Sequence, residues 1–287
     1  MQHQQTPFEQ KSIGEIRLPS LSKNLPMLMQ TMADDRLNYR QLAEIIKQYP
    51  EISARLIFLV NSPWSAPIKP ITSIEDACAR LGTSIVKSTS IAISVASSFD
   101  NGKCPSFSSE HFWTTSMLVA DGAGFLAEKL GTGKECLEFV QTAQTAGIFH
   151  NLGLLWLADN LPKETDKALK EVSTESLLTV NEALLKYTGT DYCMAGGWIG
   201  EQLTLPDVLI AAIKYHHDIN YQDTEWKLVL LVGSAVTMVA ALYNQSDEIP
   251  EDSRIVQMGL NTSIQKEVFH QLSNKFEKTR ELAKTLF

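Results

Sequence analysis

Apolar residues recur along this 287-residue chain three and four positions apart, the period of an amphipathic helix, and no clear stretch alternates with period two. Leu42, Ile45, Ile46 and Tyr49 form one such face behind Asn38, a residue type that caps helix starts, and Pro50 stops it. Pro50 then suits the first turn of a second helix, Glu51–Asn61, which buries Ile52, Leu56, Leu59 and Val60. A loop of breakers follows: Ser62, Pro63, Pro67 and Pro70. Ser73 caps a short helix carrying Ile74, Ala77, Cys78 and Leu81, with Gly82 placed for a left-handed end. The next helix, over 83–97, is rich in Ser, Ala and Ile, a composition that suits close helix–helix contact.

Beyond it the pattern predicts helices at Ser109–Leu130, Lys134–Asn160, Thr174–Tyr187, Asp191–Gln202, Pro206–His216 and Leu228–Tyr243. The last, Ser263–Leu286, carries a capping box in Thr262-x-x-Gln265. There is no internal repeat. The fold class is all-α. Asp100–Ser109, with Gly102 and Pro105, divides two helical halves. The expected organisation is a flexible tail over 1–13, an N-terminal lobe over 14–107, a second lobe over 108–245, and a C-terminal loop and helix over 246–287 packed on the bundle.

Composition changes this picture little. With 44% hydrophobic and 20% charged residues the chain can bury a sizeable core. Its net charge of −8 argues against a phosphate-backbone binder, so no nucleic-acid partner is expected. Cys78, Cys104, Cys136 and Cys193 include no CxxC pair, which leaves a zinc knuckle or disulfide framework unsupported. Met1–Pro7 is polar and Gln-rich rather than a signal peptide, so the expected location is a reducing cytoplasm. The uncharged run Leu228–Ser246 has an apolar part ending at Tyr243. As a helix it would reach about 24 Å, short of a ~30 Å hydrocarbon core, and a buried helix without membrane insertion is expected.

Candidate chemistry gathers in Gly147–Leu157, where His150 and Asn151 sit side by side in a mostly apolar run. Stranding a buried polar group costs roughly 1–3 kcal/mol, so the pair either lines a polar pocket or is tied down in the core. Trp113, Trp156 and Trp198 fall at helix positions suited to core anchors. Trp64 instead lies in the proline-rich loop beside Asn61 and Ser62, where an aromatic can meet a partner.

The order of these segments resembles the HDOD family, a regulatory branch of the HD phosphohydrolase superfamily. Leu18-Pro19-Ser20-Leu21 looks like its opening. The apolar run Ile52–Asn61 ending in Asn-Ser, and Ile71-Thr72-Ser73-Ile74-Glu75-Asp76-Ala77 followed by Leu81-Gly82, resemble its signature. Phe112-Trp113, Gly147–Leu157, Gly189-Thr190-Asp191, Leu205-Pro206 and Ile213-x-x-His216-His217 resemble the HD-like lobe. The resemblance implies a multi-helix bundle in two lobes, the second HD-like.

In catalytic relatives that lobe holds histidines and aspartates around one or two metal ions that activate water. Here Thr115 stands where the resemblance places the first histidine, Asn151 replaces the aspartate of the His–Asp dyad, and Tyr192 replaces a third histidine. The late acid around Leu231–Ala235 is missing, while His150, His216 and His217 remain. A neutral amide does not offset a dication's charge, so no catalytic residue, tightly held metal or cofactor is expected. The resemblance implies a non-catalytic bacterial signalling module. Its protein partners would be met in trans: a sensor kinase, a response regulator or a cyclic-dinucleotide enzyme. The alternatives are a metal-dependent phosphohydrolase of nucleotides or cyclic dinucleotides, and a pocket at His150 that binds a small anion without turnover.

Overall fold

Helix caps and breakers set the architecture before any long-range contact is considered. In a computed structural model, the described residues are 28, 36–173, 179–245 and 249–286, and all regular structure among them is helical. The expected tail at 1–13, the Leu18–Leu21 motif and residues 174–178 lie outside them. Helix α1 (Tyr39–Ile46) starts at Asn38, whose side chain accepts from the Arg40 and Gln41 amides while the Gln41 side chain accepts from the Asn38 amide. Pro50 opens α2 (Pro50–Asn61). Ser73 caps α3 (Ile74–Leu81), and Gly82, at a φ of 84°, joins it to α4 (Thr83–Ala96). A single 3-10 turn over Asn101–Lys103 leads into α5 (Ser109–Glu128), which Ser108 caps.

The predicted helix over 134–160 is two helices. Its first part is α6 (Lys134–Phe149), its second α7 (Leu152–Asn160), and the break falls at His150–Asn151. Asn151 leaves helical geometry at φ −104°, ψ 15°. Two side-chain bonds compensate there: His150 Nδ1 meets the Gly147 carbonyl at 2.7 Å, and the Asn151 amide bonds across to α5. Apolar periodicity runs unbroken through this corner, which is why the pattern hides it.

The chain continues through α8 (Pro162–Ser173), α9 (Val180–Thr188), α10 (Tyr192–Gln202), α11 (Asp207–Tyr215), α12 (Trp226–Tyr243), α13 (Ser253–Gln257) and α14 (Thr262–Leu286). Helices α8 and α13 were not anticipated. The predicted capping box at Thr262 does not form: Asn261 Oδ1 accepts from the Ile264 amide, and Gln265 donates instead to the Pro250 carbonyl. Helix α12 is long and apolar enough to cross a bilayer, yet 61% of that window is buried inside the fold.

Helix α5 packs against α6, α12 and α14; α7 packs on α10, and α1 on α3. The buried apolar residues form two clusters. One draws mainly on α1–α4, the other on the helices from α5 onward, and α4 feeds both through Ile93 on one side and Ala92 and Val95 on the other. Trp113 and Trp156 are buried, and Trp198 meets Trp156 edge-on at 5.6 Å between ring centroids.

The loop after α2 is pinned at both ends. Asn61 Nδ2 donates to the carbonyls of Ile57 (2.8 Å) and Ile71 (2.7 Å), and Asn61 Oδ1 accepts from the Ile71 amide (2.7 Å). Ser62 Oγ donates to the Leu59 carbonyl. Arg80 holds the Ser65 and Ala66 carbonyls, with Ala66 at a φ of 44°. Replacing Asn61 with alanine removes all three bonds at one junction. Asn61→Ala is therefore expected to cost about 1–2 kcal/mol in urea unfolding; a variant as stable as the parent would mean that solvent replaces these bonds at no cost.

Candidate functional site

The corner between α6 and α7 faces the first turn of α10 and the end of α11. Gly153, the second residue of α7, makes this possible: a Cβ there would lie 2.0 Å from the Tyr192 carbonyl oxygen and 2.4 Å from the Gly196 nitrogen. Only glycine lets α7 cross α10 with backbone on backbone. Asp191 caps α10 through the Met194 amide, and so fixes the rotation that turns Tyr192 and Cys193 inward.

His216 caps the far end of α11. Its Nδ1 lies 2.9 and 3.0 Å from the Ala212 and Ile213 carbonyls. A carbonyl only accepts, so Nδ1 carries the proton and Nε2 presents a lone pair. That nitrogen lies 3.3 Å from Tyr192 Oη and 3.7 Å from Cys193 Sγ. His217 turns back toward the same tyrosine, with Nε2 at 2.6 Å from Oη, while its ring keeps surface in solvent. The His150 ring meets His216 edge-on, with centroids 5.4 Å apart. Its own Nδ1 faces the Gly147 carbonyl, so it too is an Nδ1-protonated tautomer.

Beneath this group α12 comes close to the end of α11. A Cβ on Gly233 would fall 2.1 Å from the His216 carbonyl oxygen. That same carbonyl accepts from Arg254 Nη1 at 3.1 Å. Arg254 is buried, donates to Thr237 Oγ1, and pairs with the equally buried Asp252 at 2.8 Å. A buried ion pair with additional hydrogen bonds on the guanidinium fixes one geometry. Here it clamps the backbone that carries both histidines.

Burial sets the electrostatics. It holds His150 well down, to about 4, with the nearby His217 adding to the effect. His216 is pushed far below its ordinary value by burial and its two histidine neighbours, and His217 is lowered by burial and Arg254. Tyr192 and Cys193 are raised, again mainly by burial. All five side chains are thus neutral near pH 7.

The structure brings Tyr192, His216 and His217 together and sets His150 beside them. Asn151 and Thr115 go elsewhere. Asn151 Oδ1 accepts from Ser116 Oγ at 3.0 Å and its Nδ2 donates to the Phe112 carbonyl at 3.3 Å, so both ends of the amide tie the corner to α5. Thr115 Oγ1 points to Tyr243 Oη at 3.5 Å. Trp64 turns inward, its indole N–H toward Asp121 Oδ2 at 3.3 Å. Asn61 and Ser62 form the pinned loop already described.

Sequence reasoning missed Cys193. Its thiol lies with His216 and His217 such that their ligating atoms all fall within 4.8 Å of one another. It stands next to Tyr192, a site candidate, but a search for paired cysteines passes over it. Asp121 was missed as well; its carboxylate holds Lys275 of α14 at 2.8 Å as well as Trp64. A cleft of about 620 Å³, counting its open mouth, is lined by Arg55, Leu59, Trp64, Ile85, Met117 and Asp121, among others. It is walled mostly by apolar side chains and does not include His150.

The HDOD domain model matches residues 18–219, and the chain belongs to the HDOD domain family. An HDOD domain protein of unknown function from Geobacter sulfurreducens is similar, with 23% identity, a TM-score of 0.72, and coverage of 95% of this chain and 94% of the other. A candidate signal transduction protein from Marinobacter aquaeolei VT8 is 17% identical at a TM-score of 0.79, covering 94% of this chain and 60% of that one. A candidate phosphohydrolase from Shewanella amazonensis SB2B is 21% identical at a TM-score of 0.73, over 94% and 95% of the two chains. These likenesses establish a shared helical fold. No curated protein matches the chain.

The lowered histidines link stability to pH. A histidine whose folded value is depressed contributes stability that is present above its unfolded value of 6.5 and lost as pH falls toward the folded value. With a chelator present, resistance to urea is expected to drop between pH 6.5 and about 4, by roughly 3 kcal/mol for His150 alone. His150→Gln should flatten that dependence. An identical pH profile in the variant would show that His150 is solvated when folded.

Proposed function

We propose that this chain is a regulatory module that works through contacts with other proteins and turns over no substrate. The observation that carries this reading is the use made of the polar side chains at the HD-like positions. Asn151 joins two helices with both ends of its amide, and Thr115 faces Tyr243. Among the described residues, the cluster of His, Cys, Asp and Glu able to gather around an ion contains no carboxylate. A hydrolytic dinuclear centre needs anionic bridging groups and an open ligand position that activates water. The signal-transduction description of the Marinobacter neighbour agrees with this reading; the phosphohydrolase description of the Shewanella neighbour supplies the rival.

The contact surface we favour is the proline-rich loop of an N-terminal lobe over 14–107, set against an HD-like lobe over 108–245. Asn61 and Arg80 hold that loop, and Ile68 at its tip is 98% exposed. An apolar side chain so exposed on a fixed loop suits recognition by a sensor kinase, a response regulator or a cyclic-dinucleotide enzyme.

Purified chain supplied with manganese, iron, magnesium or zinc should not hydrolyse nucleotides, cyclic dinucleotides or a chromogenic phosphodiester. Asn151→Asp should stay at background, and should lose stability at neutral pH because it sets a charge among partners placed for an amide. Metal-stimulated turnover that disappears in His150→Ala would overturn the reading. For the contact surface, partners cross-linked in the native cell should be lost with Ile68→Glu while the variant stays folded. Undiminished cross-linking would move the surface elsewhere.

A further inference from the structure

The geometry points to a zinc site built from Cys193, His216 and His217, with Tyr192 Oη at the fourth corner. This site is offset from the His150–Asn151 pair, toward α10 and α11, and it needs none of the missing carboxylates. In a tetrahedral zinc site with Zn–N near 2.0–2.1 Å and Zn–S near 2.3 Å, adjacent nitrogen or oxygen donors sit roughly 3.3 Å apart and a nitrogen–sulfur pair about 3.6 Å. Tyr192 Oη to His216 Nε2 is 3.3 Å, and Cys193 Sγ to His216 Nε2 is 3.7 Å. Two edges of the tetrahedron are therefore already at length.

The edge from Tyr192 Oη to His217 Nε2, 2.6 Å, is a hydrogen bond that zinc would replace and open. His217 is the corner free to move, because its side chain reaches solvent while Cys193 and His216 are buried. The same exposure gives the ion a way in.

Contacts behind the ligands support the assignment. A ligating imidazole holds its other ring nitrogen on a carbonyl or carboxylate, which fixes the tautomer. His216 does this through Ala212 and Ile213, leaving the Nε2 lone pair aimed at the cluster. Arg254 locks the His216 carbonyl, so the ring cannot drift with its backbone. Asp191, which caps α10 immediately before Tyr192 and Cys193, places a negative charge near the bound cation. Chemistry selects the metal. A thiolate with two imidazoles favours zinc over magnesium, calcium or manganese, which prefer oxygen.

On binding, the Cys193 thiol and the Tyr192 phenol each give up a proton to solvent as zinc–sulfur and zinc–oxygen bonds form; no electron is transferred. With four protein donors the coordination is closed, as in structural sites, and no position is left for a reactive water. The ion would cross-link the start of α10 to the end of α11.

The full chain, purified without a histidine tag, loaded with zinc and desalted, should retain one zinc per chain. Cobalt in its place should show a thiolate-to-metal charge-transfer band, which Cys193→Ser abolishes. In competition with a chromogenic chelator, Cys193→Ser and His217→Ala should each bind zinc more weakly, by more than the roughly 10–100-fold that loss of an outer partner costs. Circular dichroism of both variants separates a lost ligand from a lost fold. His217→Ala alters the exposed corner, so it decides the matter should Cys193→Ser fail to fold. Sub-stoichiometric zinc in the parent, a cobalt complex without the band, or a His217→Ala chain that holds zinc as tightly as the parent would overturn the site. Zinc without turnover leaves the regulatory reading intact, whereas turnover would sink that reading and not the site.

Discussion

Helix α5 has almost no solvent face, and every polar group it carries must find its partner inside the protein. It is packed by α6, α12 and α14, and its residues from Phe112 to Ala127 are buried with few exceptions. Thr114 returns its hydroxyl to the Glu110 carbonyl, and Ser116 reaches both the Phe112 carbonyl and Asn151. Asp121 is the severe case, since burial raises its carboxyl and opposes the charged form. Lys275 and the Trp64 indole answer that cost from two elements far apart in sequence. The ammonium also lies over the rings of Trp64 and Phe125, at 5.4 and 5.0 Å. One buried carboxylate thereby orders the proline-rich loop and the C-terminal helix together.

The same rule explains the HD-like corner. A polar pair inside an apolar run is tolerable only where each group is satisfied. Breaking the helix at His150–Asn151 frees the Gly147 carbonyl for the imidazole and turns the amide toward α5. In a catalytic relative an aspartate at this place would face a cation. Here Ser116 donates to the amide oxygen and the amide nitrogen donates to the Phe112 carbonyl, against which a carboxylate would set a second acceptor. The amide of Asn151 and the hydroxyl of Ser116 thus make a joint between the corner and α5.

Much of the fold was legible because caps are local. Asn38, Ser73 and Asp191 each start a helix where composition says they should, since a short side chain satisfies orphan amides within three residues. The corner at residue 150 was not legible, because hydrophobic periodicity continues through it and the compensating bonds come from α5. Helix α8 was missed although Pro162 opens it and Glu164 and Lys170 suit its two ends; its apolar positions are few, Ala168, Leu169 and Val172. Thr262 and Gln265 made the reverse error. They fit a capping pattern, but Gln265 is drawn away to the Pro250 carbonyl, a partner no local pattern shows. Of the site, His150, Tyr192, His216 and His217 could be named from sequence. Cys193 could not, since its partners lie more than twenty residues away and no spacing rule joins them.

What unites α10 and α11 is then a set of donors with no fixed sequence relation, gathered by backbone contacts at Gly153 and Gly233. Each glycine removes a side chain where two helices must touch, and each contact aims a neighbouring residue: Gly153 sets Tyr192 and Cys193, Gly233 sets the His216 carbonyl under Arg254. Buried neutral histidines are costly at low pH and gain little from one another. His216 instead aims its Nε2 lone pair at an inward thiol within reach of His217, the arrangement that the proposed zinc would use. That ion would hold the start of α10 against the end of α11.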